Sequence, residues 1–350
     1  MTAHSQLACI VPPGLLVQFA RFGEDAQRET ALHTLAIDFT LRQKRVACAA
    51  GHVAVAAHPG IVGGTPGAPY RTIFDQHNRD ELALGTVAWT EGSPPSRDPA
   101  VREAVAGFGA TYELFWSAFD RDSVDDEGMP LLGMVHFSRR YANAFWDGEG
   151  HMVFGDGDGQ LFTRLTKSAD VIGHELTHGV TQYTANLAYQ GQAGALNESI
   201  SDVFGSLVRQ FRDGDSAADA DWLIGAEVVG PLLRPALRSL QAPGTANDFD
   251  EQPADMDHYV RTAADNGGVH INSGIPNRAF YVAATTIGGN AWEQAGRIWY
   301  ESLRDPRTRP NTTFGTFART TLRQAQQLYG RTSPEAAAVA AGWEAVKVRV

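Results

Sequence analysis

The sequence predicts an α+β protein with a short leader, an N-terminal mixed α/β domain with a β-sheet, and a C-terminal, mainly α-helical domain. Short apolar runs that end in Gly and Asp turns, typical of strands, occur before residue 168, whereas helical periodicity fills the chain beyond it. With 350 residues, the chain is also long enough for two domains, each with its own core.

The first 50 residues form a unit of their own, the leader. Its stretch VPPGLL (residues 11–16) should be extended, because proline disfavours helix at its own position and at the residue before it. Residues 24–45 have the periodicity of an amphipathic helix. The apolar residues that share one face of this helix are Leu32, Leu35, Ala36 and Phe39.

A nearly uncharged stretch rich in Ala, Gly and Pro follows, from residue 46 to residue 69. This composition suits an exposed linker, and we place the linker proper at residues 51–69. The N-terminal domain is then predicted at residues 70–167 and the C-terminal domain at residues 168–350.

The N-terminal domain should contain a helix that begins after Asp98, a suitable N-cap, with Pro99 at its first position. Residues 131–138 and 151–159 are predicted strands, and the second strand ends in a Gly/Asp turn. The helices predicted in the C-terminal domain are residues 168–184, 195–212, about 273–289, 290–303, 313–328 and 333–345.

Charge and cysteine content exclude several classes of protein. Asp and Glu outnumber Lys and Arg by 40 to 29, a net charge of -11, so nucleic acids and anionic membranes are not expected as main partners. The sequence has no apolar run typical of a membrane span and no conventional signal peptide. Two cysteines, Cys9 and Cys48, do not suggest a disulfide framework.

The stretch VIGHELTHGVTQ contains the pattern H-E-x-x-H. If residues 168–183 form one helix, His174 and His178 lie on the same face with Glu175 beside them, and both imidazoles can bind one metal ion. The pattern is short enough to occur by chance. The alternative is that these are polar residues on the surface of an ordinary helix.

A catalytic zinc ion takes three protein ligands and keeps one position for water, so a third ligand is needed. Glu198 follows His178 by 20 residues (198 − 178), which leaves room for a loop and a second helix that crosses the first. Asp202, one turn later, could accept the free ring N–H of His174. Taken alone, Glu198 and Asp202 are better explained as a solvent-exposed carboxylate pair on a helix surface. The presence of H-E-x-x-H at a suitable spacing reverses this preference and favours the metal site.

HELTHGVT together with GALNESISD resembles the thermolysin family of zinc endopeptidases. Three further stretches, YANAFWDGEGHMVFGDGDG, LRSL and DNGGVHINSGI, extend the resemblance from about residue 70 to the C-terminus. The leader is similar to the short propeptide of protealysin-like members. The resemblance implies a thermolysin-like two-domain fold with the active site in the cleft between the domains, one catalytic zinc ion, and peptide and protein substrates.

The resemblance also implies roles for individual residues. Zinc is bound by His174, His178 and Glu198, and Glu175 is the general base that activates a water molecule. Asp202 orients His174.

Further positions match family residues that contact the substrate. Tyr189 and His270 would donate hydrogen bonds to the negatively charged tetrahedral intermediate, and Asp265 would orient His270. The residues that would bind the peptide main chain are Asn143, the backbone of Ala144, and Arg238. Each of these residues alone has an ordinary structural explanation, but their joint occurrence in matching local sequence argues for the functional one.

Six apolar residues match positions that line the family's pocket for the side chain after the scissile bond. They are Phe162, Leu165, Val171, Ile224, Val228 and Leu237. An apolar pocket predicts cleavage on the amino side of Leu, Ile, Val, Phe or Met. The alternative is that these six residues simply belong to the core.

The calcium sites of the family are where this sequence departs from it. Relatives of the thermolysin type bind two calcium ions through several carboxylates, of which Asp170 and Asp221 remain here, but Arg209, Leu223 and Ala226 stand at other positions. Since calcium takes six to eight oxygen ligands, we do not expect the double site. We expect Arg209 to pair with the two aspartates, and calcium binding elsewhere stays open.

A protease of this kind needs an inhibitor until it is used, and the leader is the candidate, acting within its own chain. The linker offers cleavable bonds before Val53, Val55 and Ile61, which predicts a zymogen matured by cleavage there. Cys9 could reach the zinc ion as a thiolate. The favoured alternative is that Cys9 is a small buried residue that packs the leader.

The leading interpretation is therefore a monomeric, zinc-dependent neutral endopeptidase made as a zymogen. The resemblance favours secretion, and the cytoplasm is the alternative location. A catalytically silent relative that binds peptides is the other functional hypothesis, and the intact set of site residues argues against it. A structural zinc site is disfavoured, because such sites usually have four protein ligands.

Overall fold

A six-stranded mixed sheet forms the N-terminal part of the fold in the computed structural model, which describes residues 8–49 and 65–350. Only the backbone is described for Ala8 and for residues 43–49. The strands are β1 (Ala8–Cys9), β2 (Arg71–Asp75), β3 (Thr86–Thr90), β4 (Leu131–Val135), β5 (Ala144–Trp146) and β6 (His151–Phe154). Their order is β1-β5-β6-β4-β2-β3, so an edge strand of the sheet comes from the leader.

The centre of the sheet is parallel and its flanks are antiparallel. Strand β4 pairs in parallel with β2 and β6, whereas β1 and β6 pair antiparallel with β5, and β3 pairs antiparallel with β2. The helix α3 (Pro99–Phe119) begins as predicted, because the Asp98 carboxylate accepts the N–H of Ala100 at 2.8 Å and Pro99 occupies the first position.

Helices make up most of the C-terminal part, as predicted. They are α4 (Ala169–Gln182), α5 (Gly191–Asp213), α6 (Asp265–Asn272), α7 (Gly274–Ile287), α8 (Gln294–Arg304), α9 (Phe314–Tyr329) and α10 (Pro334–Ala345). A small antiparallel pair, β7 (Leu223–Ile224) and β8 (Arg238–Ser239), lies beside them. Helix α6 is irregular, because Asn266, Gly267 and Gly268 all have positive φ.

Helices α4 and α5 cross at very short range. A Cβ atom on Gly205 of α5 would lie 2.4 Å from the carbonyl oxygen of Asp170 in α4, so a larger residue would push the helices apart. Both helices are almost completely buried along this crossing. The glycine therefore allows the close approach that brings polar side chains of the two helices together.

The first part of the leader differs from the prediction of an extended stretch at residues 11–16. Helix α1 (Pro13–Phe22) begins inside that stretch, with Pro12 as its N-cap and Pro13 at its first position. Proline disfavours the interior of a helix, but its missing N–H and fixed φ suit the first turn. The extended conformation is therefore correct for Pro12 and wrong from Pro13 onward.

The predicted apolar face of the second leader helix is wrong. Helix α2 (Asp25–Ala49) leaves Leu32 53% and Phe39 65% exposed, with Ala36 also exposed and Leu35 half-buried. The buried face of α2 carries Gln27, Thr30, Ala31, Thr34, Asp38 and Leu41. Gln27 forms a hydrogen bond within the leader, and Thr34 and Asp38 form hydrogen bonds with the catalytic part of the chain. A buried face made largely of polar residues cannot be detected from apolar periodicity.

Part of the predicted linker lies outside the described residues, including the bonds before Val53, Val55 and Ile61, and so does the side chain of Cys48. None of the described helices is both long and apolar enough to cross a membrane. The predicted domain boundaries stay predictions.

A partly exposed ion-pair cluster joins the start of α3 to the loop after β6. His136 lies between two carboxylates: its Nδ1 is 2.7 Å from Asp156 and its Nε2 is 2.9 Å from Asp98. The hydrogen bond that His136 donates to Asp156, followed by the one that it donates to Asp98, raises the pKa of His136 to about 9, against the opposing effect of partial burial. The imidazolium therefore joins two segments of the N-terminal domain.

This cluster predicts a pH-dependent part of the stability. Because the pKa of His136 is raised from its unfolded value of about 6.5, its contribution is complete below pH ~6.5 and is lost as the pH rises through about 9. His136→Gln should lower the free energy of unfolding by about 1–2 kcal/mol at pH 6, a value discounted for its partial exposure, and by much less at pH 10.

The measurement is denaturant unfolding at pH 6, 8 and 10, in chains that also carry Glu175→Gln to prevent self-digestion. His77→Gln is the matched control, because His77 forms an exposed pair with Asp75 at 3.1 Å. If His136→Gln lowers the free energy of unfolding by the same amount at all three pH values, the predicted positive charge on His136 is contradicted.

Candidate active site

Helices α4 and α5 bring the predicted metal ligands together. His174 and His178 lie one turn apart on α4, Glu198 lies on α5, and all three side chains are buried. One ligand atom from each converges within 4.8 Å of the others. The close crossing of the two helices therefore forms a three-ligand site from two segments of the chain, with Glu198 lying 20 residues beyond His178.

Hydrogen bonds fix the tautomers of both histidines. The Nδ1 of His174 donates to Asp202 at 2.9 Å, and the Nδ1 of His178 donates to Oδ1 of Asn197 at 2.8 Å. The amide of Asn197 is itself oriented by donating to the carbonyl of Leu187 at 3.2 Å. Burial, followed by the neighbouring His174, holds the pKa of His178 well below its usual value.

The chemistry of this donor set fits a bound cation. With both Nδ1 atoms donating, the two Nε2 lone pairs face each other at 3.0 Å, and the carboxylate oxygens of Glu198 lie 3.4 and 3.6 Å from them. Oε2 of Glu198 and Oε1 of Glu175 are buried without a hydrogen-bond partner among the described residues. Converging lone pairs and negative charge of this kind are stabilised by a metal ion.

Asp202 connects the metal site to a buried arginine. It accepts two hydrogen bonds from Arg238, at 2.7 and 2.9 Å, and one from Asn277 of α7 at 2.9 Å, in addition to that from His174. Burial opposes the ionisation of Asp202, but Arg238 and His174 outweigh it and hold its pKa well below the usual value. Asp202 is therefore an ionised acceptor, as the orientation of His174 requires.

Tyr189, His270 and Asp265 form a second group next to Glu198. The Tyr189 hydroxyl donates to Glu198 and lies 3.2 Å from Nε2 of His270, while Nδ1 of His270 lies 2.6 Å from Asp265. Burial opposes protonation of His270, but the charges of Asp265 and Glu198 outweigh it and raise its pKa well above the usual value. The two side chains thus place hydrogen-bond donors on one side of the site.

Glu175 lies between the metal ligands and strand β5. Its Oε2 accepts the backbone N–H of Trp146 at 3.0 Å, and the Trp146 indole in turn donates to Gln182. Burial raises the pKa of Glu175 well above its usual value. A carboxylate with a raised pKa and one unpartnered oxygen is suited to take up a proton.

The leader runs through this site as an extended strand. Strand β1 pairs with β5, and beyond it the N–H of Ile10 donates to the carbonyl of Ala144 at 3.3 Å. The N–H of Val11 donates to Oδ1 of Asn143 at 3.0 Å. The two predicted main-chain binding positions, Asn143 and Ala144, thus both hold the leader.

Two leader carbonyls meet the other predicted substrate contacts. Nε2 of His270 lies 2.9 Å from the carbonyl oxygen of Cys9, and Arg238 donates to the carbonyl oxygen of Ile10 at 2.8 Å. The peptide bond between Cys9 and Ile10 therefore lies across the site, with its carbonyl directed at the His270 side.

The thiol of Cys9 has a different position from its carbonyl. Its Sγ lies 3.9 Å from Arg42 and 3.7 Å from the carbonyl of Val11, and it is not part of the converging ligand set found among the described residues. The side chain is completely buried in an apolar cluster that includes Met134 and Phe145. This geometry supports the packing alternative over a thiolate that binds the metal.

The six predicted pocket residues are all buried and belong to one apolar cluster that also contains Ile10. Leu237 and Ile224 are neighbours across the β7–β8 pair, and Phe162 pairs with Val229, the residue after Val228. Leu165 and Val171 lie in the same cluster. Their role as a specificity pocket stays a prediction.

Arg209 lies between the two aspartates, as expected. It donates to the buried carboxylate of Asp170 at 3.0 Å and also to Asp221. The other oxygen of Asp170 accepts a hydrogen bond from Ser168. A guanidinium thus provides the positive charge that these carboxylates need.

Sequence reasoning missed three contributions to the site. Asn197 orients His178, Asn277 supports Asp202, and the backbone N–H of Trp146 holds Glu175. Asn197 stands directly before Glu198 in the quoted motif, so its position was a usable signal. A backbone donor and a helix-α7 amide carry no comparable signal in one sequence.

Comparison with known proteins places these observations in a family. The model of the thermolysin metallopeptidase catalytic domain matches residues 70–182, and that of the family's alpha-helical domain matches residues 185–348. An extracellular metalloprotease of Pectobacterium carotovorum subsp. carotovorum is 45% identical over 98% of this chain and 97% of its own length. Bacillolysin of Bacillus amyloliquefaciens is 42% identical over 78% of this chain, and the match spans 49% of that protein.

A solved structure extends the similarity to the leader. The precursor of protealysin, a metalloproteinase from Serratia proteamaculans, is 46% identical with a TM-score of 0.87, and the match covers 97% of this chain and 99% of that one. The predicted family and fold are thereby confirmed. The chain belongs to the thermolysin family of metallopeptidases, enzymes that hydrolyse peptide bonds.

Proposed function

We propose that the protein is a zinc-dependent endopeptidase made as a zymogen, whose leader occupies the substrate site of its own chain. One observation carries this proposal. The backbone of the leader strand contacts Asn143, Ala144, Arg238 and His270. These are residues that the sequence predicts to bind a substrate. A segment bound in this way excludes any other peptide from the cleft.

The same contacts suggest how a substrate binds. An extended peptide would pair with the edge of β5, with the carbonyl of the scissile bond at the position of the Cys9 carbonyl and the next residue at the position of Ile10. The apolar cluster that contains Ile10 supports a preference for a hydrophobic residue there.

The proposed mechanism assigns one task to each group. His174, His178 and Glu198 would hold zinc, which when bound polarises a carbonyl and lowers the pKa of a water molecule. Glu175 accepts the proton of the attacking water and delivers it to the nitrogen of the leaving amine. Tyr189 and His270 donate hydrogen bonds to the oxygen that gains negative charge.

The donor set favours zinc because two imidazoles and one carboxylate are a set of three protein ligands that zinc takes in catalytic sites. Arg209 supports the absence of the double calcium site, since its charge already neutralises Asp170 and Asp221. We further propose a monomer that acts outside the cell, in keeping with the relative named an extracellular metalloprotease. The cytoplasm is the alternative location.

Glu175→Gln should abolish hydrolysis of a quenched peptide with leucine after the scissile bond, with a loss of at least about a hundredfold in kcat, because the proton acceptor is gone. Chelation should inactivate the matured wild type, and added zinc should restore it. Zinc binding by Glu175→Gln, measured by metal analysis, should remain stoichiometric. A matured wild type without activity would instead support a silent peptide-binding protein.

Purified full-length protein should shorten to a form cut within residues 51–69, and peptidase activity should rise in step with the cut. Intact mass spectrometry and peptide hydrolysis over time measure both quantities. The Glu175→Gln chain should stay intact alone and be cut when matured wild type is added. Full activity before any shorter form appears would contradict the zymogen.

Arg209→Gln should destabilise the protein by about 3–5 kcal/mol, because it leaves the buried Asp170 without a compensating charge. The melting temperature of the wild type should not respond to millimolar calcium or to a calcium-selective chelator while zinc is supplied. A calcium-dependent rise of several degrees in the wild type would show that the chain retains a calcium site.

A further inference from the structure

The side-chain amide of Asn143 has its orientation fixed by two backbone donors. Its Oδ1 accepts the N–H of Val11 from the leader and the N–H of Ala144 from its own strand, both at 3.0 Å. A flipped amide would direct its NH₂ group at both of these donors. The NH₂ group therefore points in the opposite direction, and the group that it meets there has to be an acceptor.

That acceptor is Asp38 of leader helix α2. Its Oδ2 accepts from Nδ2 of Asn143 at 3.1 Å, and its Oδ1 accepts from the hydroxyl of Tyr141 at 2.5 Å. One turn earlier on the same helix, Thr34 accepts the backbone N–H of Ala142 at 3.1 Å. Helix α2 thus binds three consecutive residues immediately before the substrate-binding strand β5.

Asp38 is completely enclosed, with 1% of its surface exposed. The titratable and charged groups that face it are Arg42 one turn later on α2, Tyr141 and the more distant His270, while Cys9 of β1 interacts with Arg42 and Tyr141. Burial raises the pKa of Asp38, whereas the hydrogen bonds from Tyr141 and Asn143 and the charge of Arg42 oppose the rise. The carboxylate is therefore tied to the enzyme at both oxygens and has no access to solvent.

We propose that Asp38 is the latch of the zymogen: by holding the Asn143 amide, it positions the acceptor that keeps the leader strand in the cleft. This proposal rests on the proposed leader inhibition and names the residue that maintains it. Asp38 is a positioning residue, because it touches neither the metal ligands nor the peptide bond in the site. Without it, the Tyr141 hydroxyl and the Asn143 NH₂ group are left buried without acceptors.

The latch has a consequence for maturation. A cut in the linker leaves helix α2 on the enzyme, since Asp38 and Thr34 bind through side chains and do not depend on an intact linker. Release of the leader then requires these buried hydrogen bonds to break together. Departure of α2 and departure of the inhibitory strand are therefore one event.

The experiment uses the full-length, zinc-loaded chain with Glu175→Gln, which cannot digest itself. A fluorescent peptide with leucine at the position after the scissile bond serves as the probe, because its apparent affinity reports the fraction of chains with an open cleft. Hydrogen exchange at the Ile10 and Val11 amides reports the same opening independently. Asp38→Ala should tighten probe binding and accelerate exchange by about tenfold or more.

Three further variants separate the latch from simpler effects. Asp38→Asn should have a smaller effect than Asp38→Ala, because its Oδ1 can still accept from Asn143 while its NH₂ group can only donate to the Tyr141 oxygen. Tyr141→Phe should open the cleft in part, and add little once Asp38 is already replaced, since the two side chains share a bond. Glu29→Gln is the matched control, because Glu29 of α2 pairs with Arg140 at an exposed site, and it should change neither readout.

The exchange of the α2 amides shows whether a substitution unfolds the leader. If Asp38→Ala unfolds the leader, Tyr141→Phe becomes the deciding test of the latch. It removes the hydrogen bond between Tyr141 and Asp38 without changing a residue of helix α2. Probe affinity and exchange within twofold of Glu29→Gln in all three latch variants would overturn the latch while leaving leader inhibition intact. If the probe binds the full-length chain with an unsubstituted leader as tightly as it binds the matured enzyme, leader inhibition is overturned. The latch proposal then fails with it.

Discussion

A single buried carboxylate, Asp202, holds the active site together. It accepts hydrogen bonds from a proposed metal ligand on α4, from Arg238 on β8 and from Asn277 on α7. The elements α4, α5, α7 and β8 are thereby joined at one ionised group. This carboxylate is buried, so that its hydrogen bonds must come from the protein and not from solvent. Loss of Asp202 would leave an uncompensated guanidinium in the interior, and that cost makes the arrangement specific.

The second constraint is the edge of β5 that pairs with the leader strand β1. A sheet edge offers unpaired N–H and C=O groups, and here these groups lie next to Glu175 and His270. The leader covers this edge with its own strand and fastens that strand with helix α2. In the proposed function, inhibition and substrate recognition use the same backbone groups, so that one excludes the other.

The convergence of the proposed metal ligands could be predicted from the sequence because its information is local. H-E-x-x-H lies on one helix and Glu198 and Asp202 lie one turn apart on another, so spacing alone places them on shared faces. The strand β5, the donor at Trp146 and the support by Asn277 depend on how distant segments pack. Nothing in their own local pattern reports this.

The leader shows the limit of apolar patterning most clearly. Helix α2 exposes Phe39 and buries Asp38, the reverse of what hydrophobic periodicity predicts. The helix is specified by the partners that its polar residues meet on the catalytic part, and a single sequence does not display those partners. Its helical character was nevertheless predictable, because helix propensity is a local property whereas the choice of face is not.

The dominance of main-chain contacts in the cleft has a consequence for the proteins that it can attack. A segment that pairs with β5 gives up its own helix or sheet hydrogen bonds, and about 3.3 Å of extended chain is needed for each residue bound. Compact native proteins present such segments only when they open locally. The folding stability of a target, and not only its side chains, then determines how quickly it is degraded.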